Sequence, residues 1–250
     1  MAKSKSKQKE NPLNGLSRSQ KLILLDVIKE RKRRSRDQLD EYQPNSGQRP
    51  VHISDHILRC VFSGNGAGKT ALGANEAIWA AKGYNPVTNS YNKVPARIIV
   101  LLDHPEKVED VWLPELRKWT NIPTDRCNKR GKPYYTQITF RNGSEILFMF
   151  HQQDPMIFES IECDLVIADE PPPRHVYVSL RRGGRKKNRT AKYLMLGTPI
   201  TGAWMRQEIY DPWARGDLPD TSCFKFGTMV NEGNLAEDYI KTFSQVLSDK

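Results

Sequence analysis

The chain has 250 residues, 38% of them hydrophobic, with 39 Lys and Arg against 29 Asp and Glu and a formal net charge of +10. This length suits one large domain with a full core, and the charge suits a polyanionic partner. No run approaches the roughly 18 apolar residues of a membrane span, the basic start lacks a secretory signal, and Cys60, Cys127, Cys163 and Cys223 are scattered with no C-x-x-C pair, which argues against a membrane protein, a disulfide framework and a zinc cluster and for a reducing cytoplasm.

Residues 1–17 are rich in Lys, Ser and Asn and read as a basic flexible tail. The charge is uneven: residues 1–50 carry 13 basic and 6 acidic side chains, and residues 174–192 carry 8 basic and none acidic. An amphipathic helix is expected from Ser19 to about Tyr42, with Leu22, Leu25, Ile28 and Leu39 on its apolar side, ending before Pro44 and Gly47. Arg31 to Arg34 then form the charged face of that helix rather than a nuclear signal. His52 and His56 have metal-like i, i+4 spacing, but Pro50 and Ile53 argue against a helix there and no third ligand is near.

The apolar run Leu58 to Phe62 leads into Ser63-Gly64-Asn65-Gly66-Ala67-Gly68-Lys69-Thr70, and residues 71–81 follow with apolar positions at helical spacing. Strand, glycine-rich turn and helix in that order make a P-loop, a phosphate cradle. The amides of Gly64 to Lys69 can point at a β-phosphate, Lys69 can reach the β- and γ-phosphates, and Thr70 can ligate Mg²⁺, so ATP with Mg²⁺ is the expected cofactor. The strict pattern wants glycine where Ser63 stands. A glycine-rich turn without a ligand is the plainer alternative.

Ala96 to Leu102 reads as a fully buried strand of a parallel sheet, Val108 to Trp119 as a helix, and Arg126 to Pro133 as a polar loop. Tyr134 to Phe140 and Glu145 to His151, around Arg141-Asn142-Gly143-Ser144, read as a hairpin. Leu165 to Ala168 ends in Asp169 and Glu170, about 100 residues after the P-loop. In P-loop ATPases such a strand delivers an Asp to the Mg²⁺ shell and a Glu that polarises the attacking water. In isolation, two acids before Pro171 are equally a turn. The strand Ala191 to Leu196 runs into Gly197-Thr198-Pro199, where the Thr198 hydroxyl could sense the γ-phosphate or where Gly197 and Pro199 could simply make a turn. One more strand is expected near Cys223 to Thr228 and a last helix from Leu235 to about Leu247.

With these residues placed, the chain from Tyr42 onward resembles the ATPase domain of the large terminase subunit of tailed bacteriophages. The resemblance rests on Tyr42-Gln43-Pro44-Asn45-Ser46-Gly47-Gln48 with His52-Ile53-Ser54, on Gly64 to Thr70, on Ala168 to Pro173 with Tyr177 and Leu180, and on Leu196 to Pro199. It implies that Gln48 contacts adenine, that Lys69 and Thr70 hold phosphates and Mg²⁺, that Asp169 serves the metal and Glu170 the water, and that Thr198 lies in a coupling motif. Relatives carry an arginine in the loop where this chain has Gly66, so an arginine from a neighbouring subunit would meet the transition-state charge, with Arg181 and Arg182 as candidates. Binding of DNA phosphates is the alternative role for these two and for Arg185 to Arg189.

The reading is therefore an α/β P-loop NTPase: a three-layer sandwich with a mostly parallel central sheet, an N-terminal helix and a small C-terminal lid, with a core over 18–215 and the lid over 216–250. The resemblance implies an ATP-dependent translocase of double-stranded DNA in a homo-oligomeric ring on a portal or procapsid, with a small terminase subunit as partner, in the host cytoplasm. No nuclease activity is expected of this stretch, since the acids Asp211, Asp217, Asp220, Glu232, Glu237 and Asp238 fall in turns or on a short helix without a strand framework. A helicase-like or repair ATPase and a non-hydrolysing, nucleotide-gated DNA-binding module are the alternatives.

Overall fold

The computed structural model describes residues 17, 19–22, 38–186, 189–198, 203–236 and 239. The chain divides into two units, Met1–Asp37 and Gln38–Lys250. In the first, residues 19–22 are helical. The Ser17 N–H donates to Gln20 Oε1 at 2.9 Å and the Gln20 N–H to Ser17 Oγ at 3.3 Å, a reciprocal cap that fixes where this helix starts. Residues 23–37 of the expected helix lie outside the described residues, and its expected end is corrected: Gln38–Glu41 is a 3₁₀ turn and Tyr42 is not helical.

The second unit is built on an eight-stranded sheet. Its strands in chain order are β1 (Leu58–Ser63), β4 (Arg97–Leu102), β5 (Cys127–Asn128), β6 (Gln137–Thr139), β7 (Glu145–Phe150), β8 (Leu165–Asp169), β11 (Lys192–Gly197) and β12 (Thr221–Phe226). Two small hairpins, β2 (Tyr84–Asn85) with β3 (Ser90–Tyr91) and β9 (Arg185–Lys186) with β10 (Arg189–Thr190), stand outside it. The spatial order is β12-β1-β11-β8-β4-β7-β6-β5. Pairings from β12 to β7 are parallel, and the β7–β6 and β6–β5 pairings are antiparallel.

The apolar runs explain this layout. From Ile98 to Leu102 every residue of β4 is buried, as is every residue of β8, because helices cover both faces. Ile98, Val100 and Leu102 join one core, shared with Leu72, Ile78 and Leu116; Ile99 and Leu101 join the other, shared with Phe158, Val176 and Leu180. The first of these layers is α2 (Lys69–Lys82) and α3 (Leu113–Trp119); the second is α4 (Pro155–Glu159) and α5 (Arg174–Gly183). The result is the expected three-layer sandwich.

Four local expectations are corrected. Gln48–Ile53 is a short helix, α1, despite Pro50, which sits in the first turn where an N–H has no intrahelical partner anyway. The helix expected over Val108 to Trp119 opens with a π turn, Val108–Trp112, in which the Leu113 N–H reaches Val108 O; the next residue, Pro114, has no N–H to offer an α ladder. The polar loop after Arg126 contains β5. Thr221–Phe226 is the edge strand of the sheet, parallel to β1, and so part of the core layer although it follows residue 215. The last helix falls largely outside the described residues.

A buried polar chain ties α1 to α2 and β1. The Tyr42 hydroxyl lies 2.9 Å from His52 Nε2, His52 Nδ1 2.7 Å from Glu76 Oε1, and Arg59 donates to Glu76 Oε2 at 2.7 Å and to Val51 O at 3.0 Å. Burial pushes the Glu76 carboxyl up, but Arg59 and His52 together outweigh it and bring it from 4.5 to about 2. Glu76→Gln strands a buried guanidinium and is expected to cost about 3–5 kcal/mol at pH 7 by chemical denaturation. Because the carboxyl is depressed in the folded state, its contribution is full above pH 4.5 and is lost as pH falls towards about 2. The gap between wild type and Glu76→Gln should close over that window, and a gap independent of pH would contradict the assignment.

Candidate functional site

The carboxyl ends of β1, β11, β8 and β4 open into a cleft of about 1000 Å³, walled by Tyr42 to Gln48, the β1–α2 loop, one side of the 107–119 helix, Asp169, Glu170 and residues 230–234. This is where parallel sheets bind ligands. Gly66 and Gly68 have φ of +76° and +88°, so the loop needs glycine at both. Ser63 needs none, because it is the last residue of β1 in extended backbone, which explains why serine is tolerated where the strict motif has glycine. The loop then delivers Lys69 and Thr70 as the first two residues of α2.

Lys69, largely buried, donates through Nζ to Ser63 O and Gly64 O, each at 3.1 Å, and to Thr198 Oγ1 at 3.3 Å. Burial lowers its pKa, opposed by the Glu170 and Asp169 carboxylates. Thr198 Oγ1 donates in turn to Glu170 Oε1 at 3.1 Å, and its N–H to Glu170 Oε2 at 3.2 Å. Thus Lys69, Thr198 and Glu170, distant in sequence, form one hydrogen-bonded chain. Glu170 has φ +76°, a left-handed backbone that a side chain adopts at a cost of about 1–2 kcal/mol, held by its N–H on Leu196 O at 2.8 Å. The strained residue is the one whose carboxylate faces the loop.

Asp169 is buried, and its Oδ2 accepts the Trp112 indole N–H at 2.8 Å. Burial pushes its carboxyl up, with Trp112 and then Lys107 pulling the other way. Asp169, a buried carboxylate, and Thr70 both line the cleft, and their oxygens are donors of the kind Mg²⁺ takes together with phosphate and water. Among the described residues no cluster of three or more His, Cys, Asp or Glu could hold a metal alone, and His52 is engaged by Tyr42 and Glu76.

Gln48 lies at the cleft, buried, with Oε1 accepting the Asn45 N–H at 2.9 Å and Nε2 donating to Gly68 O at 2.8 Å. Arg181 and Arg182 do not line this chain's own cleft: Arg181 stacks 4.6 Å over the Tyr193 ring and Arg182 pairs with Glu159 at 3.4 Å, both exposed. The side chains of Arg185 to Arg189 and residues Pro199 to Gly202 lie outside the described residues. Sequence reasoning missed Trp112, Lys107 and the 230–234 wall, which carry no motif and reach the site only through the fold.

No protein-family model matches the chain, and no curated protein matches it in sequence. Solved structures do. A large terminase from a thermophilic bacteriophage aligns with a TM-score of 0.56 and 15% identity over 80% of this chain and 50% of that one, and the same terminase has also been solved in complex with ADP. The large terminase ATPase domain of Thermus phage P74-26 aligns at 0.51 and 16% over 75% of this chain and 82% of that one. The Hef helicase domain of Pyrococcus furiosus aligns at 0.50 and 14% over 76% and 39%. The fold is that of large terminase ATPase domains and of helicase P-loop domains, and this chain spans about half the length of the first of these terminases.

Trp112→Phe keeps most of the ring volume in the core and deletes the donor to Asp169. A double-mutant cycle with Asp169→Ala should give a coupling of about 1.5–3 kcal/mol in unfolding stability, the range for a hydrogen bond to a charged group. A coupling near zero would mean that the indole does not hold the carboxylate.

Proposed function

We propose that this chain is an ATP-hydrolysing motor domain that moves double-stranded DNA, as in viral genome packaging. The observation that carries the reading is the Lys69–Thr198–Glu170 chain at the mouth of the P-loop, beside the buried Asp169. It joins a phosphate-binding cation, a hydroxyl at a strand end and a candidate general base in one network. The likeness to large terminase ATPase domains supports the motor class, and the terminase solved with ADP supports a nucleotide as ligand.

In this reading the loop amides and Lys69 bind the β- and γ-phosphates, and Lys69 exchanges its contacts to Ser63 O, Gly64 O and Thr198 for phosphate oxygens. Thr198 then keeps its bonds to Glu170 and faces the γ-phosphate. Glu170 accepts a proton from the water that attacks in line, and the Thr198 N–H and hydroxyl hold that carboxylate in place. Mg²⁺, when bound by Thr70 and Asp169, neutralises phosphate charge. Loss of the γ-phosphate changes what Thr198 faces, and Thr198 directly follows β11, so the signal enters the sheet between β1 and β8.

The chain's own cleft offers Lys69, Lys107 and Lys118 as cations and no arginine among the described residues. We assign the missing charge to a neighbouring subunit's copy of Arg181 or Arg182, in a ring on a portal or procapsid with a small terminase subunit, in the host cytoplasm. The net charge of +10 suits a grip on DNA phosphates rather than bases. No helix among the described residues is long and apolar enough to cross a membrane. A second reading, a helicase-like ATPase, is favoured by the likeness to the Hef domain.

The test is ATP turnover with duplex DNA, together with triplex displacement and strand separation, for wild type, Glu170→Gln and Lys69→Ala. Glu170→Gln should bind ATP with near wild-type affinity and hydrolyse it about 10²–10⁴-fold more slowly, while Lys69→Ala should lose binding. Wild type should displace a triplex without separating strands. Strand separation would favour the helicase reading, and equal turnover in wild type and Glu170→Gln would remove the catalytic assignment.

A further inference from the structure

All six carbonyls from Ser63 to Gly68 accept a side-chain donor. Lys69 takes those of Ser63 and Gly64, at 3.1 Å each. Thr228 Oγ1 donates to Asn65 O at 2.8 Å, Asn231 Nδ2 to Gly66 O at 2.7 Å, Asn45 Nδ2 to Ala67 O at 3.4 Å, and Gln48 Nε2 to Gly68 O at 2.8 Å. The last four donors come from two segments that flank the loop, residues 45–48 before it and the 3₁₀ stretch Thr228–Asn234 some 160 residues after it, and the Tyr239 hydroxyl adds a second, longer bond to Asn65 O at 3.4 Å. Asn231 also ties the two together, accepting from Asn45 Nδ2 at 3.5 Å.

The glycines of the loop fit the same partners. A Cβ on Gly64 would stand 2.6 Å from Thr228 Oγ1, and one on Gly68 would stand 2.6 Å from Gln48 Nε2. A Cβ on Gly66 would meet Leu235, Tyr239 and Thr228 at 3.3–3.4 Å. Position 66, where a φ of +76° already favours glycine, is thus also crowded by Thr228, Leu235 and Tyr239.

A peptide unit whose carbonyl is held on one side presents its N–H on the other, so fixing the carbonyls fixes where the amides aim. We infer that Gln48, Thr228 and Asn231 are positioning residues that hold the loop in its phosphate-binding form before nucleotide arrives, acting on the phosphate group and not on the base. The inference rests on the nucleotide reading above and deepens it. It gives Gln48 a role besides adenine contact, since each end of its amide already bonds the backbone beside or within the loop. It also gives the 228–234 segment a direct hold on the loop, so phosphate binding and the placement of that segment are linked.

The probe is inorganic tripolyphosphate with Mg²⁺, which has no base, compared with ATP by calorimetry. Thr228→Val deletes one donor at nearly constant volume, and Asn231→Leu and Gln48→Met each delete one without adding charge. Each is expected to weaken ATP and tripolyphosphate by the same factor, about tenfold, the scale of one lost hydrogen bond. Thr228→Ser, which keeps the hydroxyl, should bind both like wild type, and kcat of Thr228→Val should stay within about twofold of wild type while KM rises. Folded variants that bind both ligands unchanged would overturn the inference, as would a loss confined to ATP, which would make these residues base contacts. Wild-type protein that binds neither ligand would overturn the nucleotide reading itself and this inference with it.

Discussion

A phosphate cradle has to solve a problem of backbone geometry: several consecutive N–H groups must point at one place, and every carbonyl of the same stretch must then find a partner elsewhere. In this stretch the backbone reaches Gly64 O, from the Ala67 N–H at 3.4 Å, and Gly68 O, from the Leu72 N–H at 3.0 Å. Each carbonyl also takes a side chain, from Lys69 at the loop's own end and from Asn45, Gln48, Thr228, Asn231 and Tyr239 on either side of it. Much of the architecture around the loop serves this. α1 carries Gln48, edge strand β12 delivers Thr228 two residues past its end, and Gly66 and Gly68 make the room and the left-handed turns.

The same loop is anchored from beneath. α2 begins at Lys69, and two turns later its Glu76 enters the buried chain that runs through His52 to Tyr42 and through Arg59 to β1. Charged groups in such a position cost desolvation and repay it only through mutual pairing. The consequence is that α1, α2 and β1, the three elements that meet at the loop, are tied by one network that reaches the cleft wall at Tyr42. At the sheet's carboxyl edge the neighbouring strands supply the reactive groups, Asp169 and Glu170 from β8 and Thr198 from the end of β11. Register places Leu196 opposite Asp169, so the two strand ends are level and Thr198 can meet Glu170.

How much of this could be read in the sequence follows from how local each signal is. The β1–loop–α2 unit is legible because glycine, lysine and threonine at fixed offsets leave a contiguous mark, and β4 and β8 are legible because a strand covered on both faces must be apolar throughout. Asp169 and Glu170 gain meaning only because they follow such a strand. The π turn at Val108–Trp112 and the helix through Pro50 were hidden, since propensity sees a proline but not whether its missing N–H had a partner to lose. Trp112 beneath Asp169, and Thr228 and Asn231 over the loop, were hidden for another reason. They meet their partners 57, 163 and 165 residues away, and no periodicity records a contact of that kind.

The central claim is that the cradle is already formed and that a nucleoside triphosphate enters it. A structure of the chain with Mg²⁺ and a non-hydrolysable ATP analogue measures this most directly. The expected result has the β- and γ-phosphates within hydrogen-bond reach of the amides of Gly66 to Lys69, with Lys69 Nζ moved from the loop carbonyls to phosphate oxygen, Thr198 and Glu170 facing the γ-phosphate, and the backbone of residues 63–69 displaced by less than about 1 Å. An analogue bound elsewhere, or a loop that has to refold and break its bonds to Gln48, Thr228 and Asn231 to admit it, would contradict the claim.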